Sequence, residues 1–145
     1  MTESAADTGT FFGWMERNAR LCPDKPAIIS IDQNKSISHG ELFREACRIG
    51  RYYEAHGIGC NDRVALMSNN SIEHLTVYLA SLAYGCTICT IHVEMNAIYF
   101  EEILTAVNAK LVLCEEGLPD LEKLAGKVPG EWRPLGTLKP EARHG

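Results

Sequence analysis

The sequence predicts an α/β fold in which helices flank a mostly parallel β-sheet. Between residues 38 and 115, short apolar runs alternate with segments whose apolar residues recur at helical spacing. Several of these runs are apolar at successive positions, which is typical of strands buried on both faces of a parallel sheet. The connections are only a few residues long, so the order β-α-β-α-β-α-β favours right-handed crossovers within one sheet.

A short N-terminal helix and a β-hairpin are predicted ahead of this unit. Residues 8–21 have a helical pattern that ends before Pro23. The predicted inner face of this helix carries Phe11, Trp14, Met15 and Ala19. The β-branched run "AIISI" at residues 27–31 and the shorter "SIS" at 36–38 flank the turn residues "DQNK". These two strands should therefore pair as a hairpin.

The first helix of the alternating unit begins with a capping-box spacing and ends at a glycine. Ser38 and Glu41 stand three residues apart, so their side chains can satisfy two free backbone donors. Gly57 follows the last turn, where a left-handed residue is often needed. The predicted buried stripe of this helix consists of Leu42, Ala46, Ile49 and Tyr53.

The next helix is predicted at residues 71–84, after the strand "RVALMS" at residues 63–68. Asn70 and Glu73 repeat the capping-box spacing, which predicts that Asn70 caps this helix. Replacing Asn70 by alanine should then destabilise the fold, whereas aspartate should preserve its stability. The predicted apolar stripe consists of Ile72, Leu75, Leu79, Leu82 and Ala83.

Two further core strands and a third helix complete the predicted sheet. The strands are expected at residues 86–92 and 110–115, with the helix at residues 96–109 between them. Residues 118–125 can form a weak helix, whereas residues 127–145 contain three prolines and no period. We therefore predict a domain at residues 1–126 and an irregular tail at 127–145. The third helix is predicted to turn Ile98, Ile103, Leu104 and Val107 inward.

Composition places the chain among soluble globular proteins. Hydrophobic residues make up 46% and charged residues 23%, and the formal net charge is −5. This acidic balance, without a Lys/Arg cluster, argues against a nucleic-acid partner. No apolar run approaches the roughly 18 residues of a membrane span, and the first residues lack a secretory-signal pattern. We therefore predict a cytoplasmic protein without a membrane span.

The six cysteines are predicted to be free thiols because no secretory signal accompanies them. The spacing of Cys86, Cys89 and His92 suggests a metal site, but these residues fall on a predicted strand. Residues three apart on a strand point to opposite faces, so the three side chains cannot converge on one ion. Packing in the core is the favoured interpretation, and no metal site is predicted.

The polar loop at residues 68–71 admits two interpretations. It lies at the carboxyl end of a predicted parallel strand, where open α/β sheets usually bind ligands. Its residues are also those that cap helices, and capping is the favoured interpretation. The neighbouring Glu73 and His74 do not face one another on a helix, which argues against a catalytic pair. Three other histidines are predicted at the surface: His39, His56 and His144.

Several short motifs in a fixed order resemble the start of the adenylate-forming superfamily, which includes acyl-CoA synthetases, peptide-synthetase adenylation domains and luciferases. The segment "CPDKPAII" is similar to the family's P-x-K-x-A opening, and "SHGEL" is similar to its T-Y-x-E-L. The segment "GIGCNDRVAL" is similar to its G-(apolar)-x-x-G-D-R-V, with Asn61 in place of the usual glycine. With "NNSIEH" and the small-residue strand after it, the resemblance covers residues 11–115, and the acid–CoA ligase branch looks nearest.

The resemblance implies the first lobe of the large domain of an enzyme that uses ATP, Mg and CoA. Such enzymes join a carboxylic acid to AMP with release of pyrophosphate, and a thiol then takes the acyl group. The family's P-K-G loop, Y-G-x-T-E stretch, ribose-binding Asp and C-terminal Lys have no counterpart in these 145 residues. The sequence also lacks a P-loop and a G-x-G-x-x-G motif. No catalytic, cofactor-binding or metal residue is therefore assigned, and this chain alone is expected to bind none of those cofactors.

Two functions remain open at this point. The chain is either the N-terminal part of an acid–CoA ligase or a stand-alone interaction or regulatory module derived from that lobe. Because these residues contain no complementing lobe, we expect an exposed apolar patch larger than a monomer normally carries. The last predicted strand, at residues 110–115, should also leave an unpaired edge that recruits another chain. Self-association or binding of a complementing lobe is the expected consequence.

Overall fold

The computed structural model describes residues 9–94, 96, 98–118 and 120–138. The predicted helix start at Thr8, the end of the tail and His144 lie outside these residues. The chain divides into two compact units. The first consists of Met1–Tyr52 and Asn70–Gly85, and the second of Tyr53–Asn69 and Cys86–Gly145.

The first unit begins with helix α1 (Phe11–Leu21) and a β-hairpin. The Thr10 hydroxyl caps α1 by accepting a hydrogen bond of 3.0 Å from the Gly13 amide. The predicted inner face is only partly correct, because Met15 is buried while Phe11 and Trp14 are 41% and 51% exposed. Strands β1 (Pro26–Ser30) and β2 (Lys35–Ser38) pair antiparallel, so the predicted hairpin is confirmed.

Helix α2 (His39–Ala55) confirms the predicted stripe and end, whereas the capping box forms in part, because the Glu41 carboxylate accepts from a hydroxyl and not from a backbone amide. The Ser38 hydroxyl accepts from the Glu41 amide at 3.2 Å and donates to the Glu41 carboxylate at 2.8 Å. Gly57 has a φ of +71°, as the predicted helix end requires. The four residues of the predicted stripe are all buried: Leu42, Ala46, Ile49 and Tyr53.

Helix α3 (Ile72–Tyr84) lies where predicted, but it turns a different face inward. Leu75 and Leu82, which were expected inside, are 37% and 41% exposed. The inner side includes the small residues Thr76, Ala80 and Ser81, and the Ser81 hydroxyl donates to the Val77 carbonyl at 2.7 Å. The predicted stripe is therefore wrong in part. The buried residues of α3 are Ile72, Thr76, Val77, Ala80 and Ser81.

The second unit contains a four-stranded sheet of β3 (Arg63–Met67), β4 (Thr87–Ile91), β5 (Leu111–Cys114) and β6 (Glu131–Pro134). The strand order is β4-β3-β5-β6, and every pair is parallel. The two central strands are buried on both faces, from Val64 to Met67 and from Leu111 to Cys114. The predicted α/β fold with a parallel sheet and flanking helices is confirmed.

Helices α4 (Ile98–Val107) and α5 (Leu121–Lys127) belong to the same unit. Phe100 and Leu104 of α4 and Leu124 of α5 join Ala65, Met67 and Val112 in one apolar cluster. Ile98 was predicted inside, but it is 73% exposed. Ile98 precedes Phe100 by two residues, so it lies about 200° away around the helix and on the side opposite the buried Phe100.

The predicted irregular tail is wrong for its described part. Residues 131–134 form β6, which pairs with β5, and a 3-10 helix (Leu135–Leu138) follows. A four-residue strand with two charges and a proline has no apolar alternation, so the sequence pattern hid it. Tertiary contacts hold the strand instead, because it pairs with β5 and the Trp132 side chain packs against the apolar cluster of this unit.

The strand order corrects two predictions about the sheet. The edge of β5 is not unpaired, because β6 covers it. Strand β4 is not a core strand, since it lies at the other edge of the sheet and exposes Thr87 and Thr90. The pattern "TICTI" is apolar enough for a core strand, but only strand order decides which strands have two neighbours.

None of the helices formed by the described residues is both long and apolar enough to cross a membrane.

Candidate functional site

The carboxyl end of the parallel sheet is the usual place for a ligand, and two polar side chains meet there. Asn69 follows β3, and Glu115 follows β5. One carboxylate oxygen of Glu115 accepts from both the backbone amide and the side-chain amide of Asn69, each at 3.0 Å. The Glu115 amide in turn donates to the Met67 carbonyl at 2.8 Å. These bonds tie the two strand ends together, so the pair acts as a brace.

Ser68 belongs to the same strand end and is 5% exposed. Its hydroxyl donates to the neighbouring Asn69 carbonyl at 3.1 Å. Both residues of this half of the loop therefore use their polar groups within the chain. Their geometry supports the structural interpretation of the loop over the ligand-binding one.

In the first unit, Ser71 caps α3, and Asn70 does not. The Ser71 hydroxyl accepts from the His74 amide at 3.0 Å, with Ser71 in extended backbone conformation. The prediction that Asn70 is the cap is wrong because the extended residue before the helix lies one position later, which leaves the Asn70 side chain exposed. The Gln33 side-chain oxygen accepts from the Ile72 amide at 2.8 Å. The Ser71 and Gln33 side chains therefore accept hydrogen bonds from two of the backbone amides at the start of α3.

Gln33 and Lys35 also hold Glu73, the residue predicted to complete the capping box. The Gln33 amide donates to one Glu73 oxygen at 3.0 Å, and the Lys35 ammonium donates to the other. Partial burial raises the pKa of Glu73, but the hydrogen bonds from Lys35 and Gln33 outweigh it and lower the pKa to about 2. Sequence reasoning missed this clamp because Gln33 sits in a turn segment whose composition indicates only a turn.

Replacing Ser71 by alanine should lower the free energy of unfolding by about 0.5–2 kcal/mol, because a helix N-cap is lost. Asn70→Ala is the matched control, since it truncates the adjacent side chain and leaves the cap intact. A urea titration of both variants measures the difference. Equal losses for the two variants would contradict the assignment of Ser71 as the cap.

The cysteine and histidine residues that suggested a metal site have separate surroundings. Cys86 is buried and Cys89 is partly buried. The six cysteines all lie in the described part of the chain, and each is a free thiol. His92 is 70% exposed and lies 3.6 Å from a Glu94 oxygen. Within residues 9–94, 96, 98–118 and 120–138, no group of three His, Cys, Asp or Glu side chains could hold a metal ion.

His56 makes a contact that the sequence did not indicate. Its Nδ1 lies 2.9 Å from a Glu131 oxygen, and the Arg133 guanidinium donates to the same oxygen at 3.0 Å. The hydrogen bond from Arg133, together with His56, holds the pKa of Glu131 below its usual value. The contact braces β6, and it was missed because residues 127–145 had no predicted structure. His39, which was also predicted at the surface, is partly buried.

The segment "GIGCNDRVAL" consists of a turn and the first four residues of β3, and two of its polar side chains bind backbone groups. The Asp62 carboxylate accepts from the Gly59 amide at 2.6 Å, and this bond lowers the pKa of Asp62. The Arg63 guanidinium donates to the Val107 carbonyl at 2.9 Å. The motif that carries much of the family resemblance therefore shapes the entry to β3.

Comparison with known proteins decides the family. The family model described as AMP-binding enzyme matches residues 15–138. The chain belongs to the AMP-binding enzyme family. The resemblance to the adenylate-forming superfamily is thereby confirmed.

Relatives in the AMP-binding family include both peptide synthetases and acid–CoA ligases. The chain is 31% identical over 113 residues to surfactin synthase subunit 1 of Bacillus subtilis, covering 78% of this chain and 3% of that protein. It is 28% identical over 124 residues to oxalate–CoA ligase of Arabidopsis thaliana, covering 84% of this chain and 24% of that protein. The chain thus spans a quarter or less of the length of either curated relative.

A solved AMP-binding enzyme has the same fold. The anthranilate–CoA ligase in complex with anthranoyl-AMP matches with a TM-score of 0.77 and 20% identity. The match covers 93% of this chain and 27% of that one. The parallel sheet with its flanking helices is therefore an arrangement that adenylate-forming enzymes share.

Proposed function

We propose that this chain supplies the N-terminal part of an ATP-dependent acid–CoA ligase. In such an enzyme a carboxylate would attack ATP to form an acyl-adenylate and pyrophosphate, and CoA would then take the acyl group. The observation that carries the proposal is the family match over residues 15–138. It is supported by the likeness of the fold to a CoA ligase over 93% of the chain.

The proposed role of these residues is to build the scaffold and leave the reaction to other parts of the enzyme. The polar groups at the strand ends are engaged with one another, as Asn69 and Glu115 are. The sequence has no P-K-G loop and no Y-G-x-T-E stretch. ATP, Mg, CoA and the carboxylic acid would accordingly bind to the whole enzyme, and we assign none of them to a residue here. We place the proposed lobe at residues 1–126, extended by β6, in a cytoplasmic enzyme.

A segment exchange tests this proposal. Residues 15–138 would replace the matched segment of oxalate–CoA ligase, and oxalate-dependent exchange of labelled pyrophosphate into ATP would be measured. We expect exchange from the chimera, because the segment supplies an equivalent scaffold, and none from the isolated chain. A folded chimera without exchange would overturn the scaffold role, and acid-dependent exchange by the isolated chain would overturn the absence of catalytic groups.

A stand-alone interaction or regulatory module is the second candidate. The observation that favours it is β6, which covers the edge of β5 from within the same chain. A module of this kind should unfold cooperatively and reversibly when isolated, while its chimera with the ligase stays inactive. A P-K-G loop encoded directly downstream in the same reading frame would favour the ligase.

A further inference from the structure

The two edges of the parallel sheet differ in how they are protected. Strand β6 carries Glu131, Arg133 and Pro134, and charges and proline are the residues that prevent an edge from pairing with another chain. Strand β4 reads "TICTI" and has neither a charge nor a proline. Among the described residues, β6 is therefore protected against pairing with another chain, whereas the outer side of β4 has no strand paired with it.

The register of β4 identifies the residues that face outward. The Thr87 amide donates to the Asp62 carbonyl at 3.0 Å, and Val64 stands opposite Ile88. Because backbone groups of a strand alternate in direction, the N–H and C=O groups of Thr87, Cys89 and Ile91 point toward β3. Those of Ile88 and Thr90 point away from it. Within the described part of the chain, no strand pairs with this side of β4.

We propose that β4 pairs antiparallel with β4 of a second copy, about a two-fold axis that passes through Cys89. In this register Ile88 faces Thr90 of the other copy, and the whole of Thr87–Ile91 overlaps. Every outward N–H and C=O of Ile88 and Thr90 then finds a partner. The two sheets become one continuous sheet across the dimer.

A second copy suits this edge better than an unrelated chain does. A two-fold axis makes the edge complementary to itself, since each outward donor meets the equivalent acceptor. The strand is uncharged, so its approach to a copy avoids direct repulsion between charged side chains in a chain whose net charge is −5. The contact is short, and interfaces below about 1,000 Å² are weak, so the dimer should depend on concentration.

The sequence predicted self-association through the edge of its last strand, at residues 110–115. The proposed pairing uses the edge of β4 instead. The inference does not rest on the proposed ligase role, because it uses only the geometry of the sheet. It also predicts a fixed stoichiometry of two, whereas an exposed apolar patch alone would allow larger assemblies.

Light scattering after size-exclusion chromatography, over a series of protein concentrations, tests the pairing. The wild-type mass should rise from one chain toward twice that value as concentration increases. Thr90→Lys should keep the mass at one chain, because it places a charge at the free edge. Thr90→Pro should do the same, because it removes an outward N–H that no internal partner uses. Ser36→Lys, which adds the same charge to an exposed position of β2, should leave the dimer unchanged.

A cross-linking experiment tests the register. Residues opposite one another in a non-hydrogen-bonded antiparallel pair have Cα atoms about 4.5 Å apart, within the range of a disulfide. In a Cys60→Ser background, which removes the exposed cysteine, copper(II)-phenanthroline should oxidise two Cys89 thiols to one disulfide between copies. The product should be lost in Cys89→Ser and in Thr90→Lys.

A wild-type protein that stays a single chain at every concentration would overturn the proposal. A dimer that survives in both folded Thr90 variants would assign the contact to another surface and overturn it equally. Loss of the dimer in Thr90→Lys without any Cys89 cross-link in the parent would overturn the two-fold register. Circular dichroism of each variant establishes that it is folded before its mass is interpreted.

Discussion

Replacement of Leu104 by alanine is expected to lower the free energy of unfolding by about 2–5 kcal/mol. Leu104 is fully buried in α4 and joins Phe100, Ala65 and Met67 in the apolar cluster of the second unit. The loss has two sources, the removed apolar surface and the cavity that remains between helix and sheet. Urea titration followed by circular dichroism measures it.

Ile98→Ala provides the matched control within the same helix. Ile98 is 73% exposed, so its truncation should change stability by no more than about 0.5 kcal/mol. In the structure Leu104 points inward and Ile98 does not, whereas the sequence predicted that both residues point inward. Comparing the two variants therefore distinguishes these two orientations of α4. Similar losses for the two variants would mean that the helix is rotated from the orientation described above.

Gly130→Ala is expected to destabilise the protein by about 1–3 kcal/mol, because it forces a side chain into a strained backbone conformation. Gly130 has a φ of +127°, and an added Cβ would lie 2.7 Å from the Ala109 carbonyl oxygen. That oxygen belongs to the backbone leading into β5, so it cannot move aside as a flexible side chain would. The strain falls at the start of β6, where the Glu131 amide donates to the Lys110 carbonyl at 3.0 Å.

Gly126→Ala should instead raise the free energy of unfolding. Gly126 lies in α5 with open space around the added methyl group, and alanine favours a helix by about 0.5–1 kcal/mol over glycine. Fluorescence of Trp132 in a Trp14→Phe background reports on β6 directly, since these are the two tryptophans of the chain. A stabilising Gly130→Ala substitution would contradict the conformation assigned to this turn.

Helix α2 illustrates how far sequence reasoning reaches. Its capping box, its buried stripe and the glycine after its last turn all depend on residues a few positions apart. Such residues meet in any helix that forms, whatever surrounds it. The prediction that residues 63–68 and 110–115 are core strands succeeded because uninterrupted apolar runs are stable only where both faces are covered.

Helix α3 and the loop before it show where that reasoning stops. The apolar count favoured Leu75 and Leu82, but the face with Ala80 and Ser81 is the buried one, because packing against neighbouring elements decides which face of a helix turns inward. The cap moved from Asn70 to Ser71 because both residues are good caps, and the backbone conformation selects one of them. The contact of Gln33 with the helix start joins residues 39 positions apart, which no local pattern encodes.

The sequence by itself therefore determined the class of fold, the parallel strands, the boundaries of the helices to within a few residues and the family. Only the tertiary structure decided that residues 131–134 form a strand, that β4 lies at an edge, and that the polar loop residues serve as braces and caps. The physical reason is that strand order and side-chain partners arise from long-range pairing. A short strand such as β6 is stabilised by its pairing with β5 and by the packing of Trp132 against the apolar cluster, and its own residues carry almost no signal.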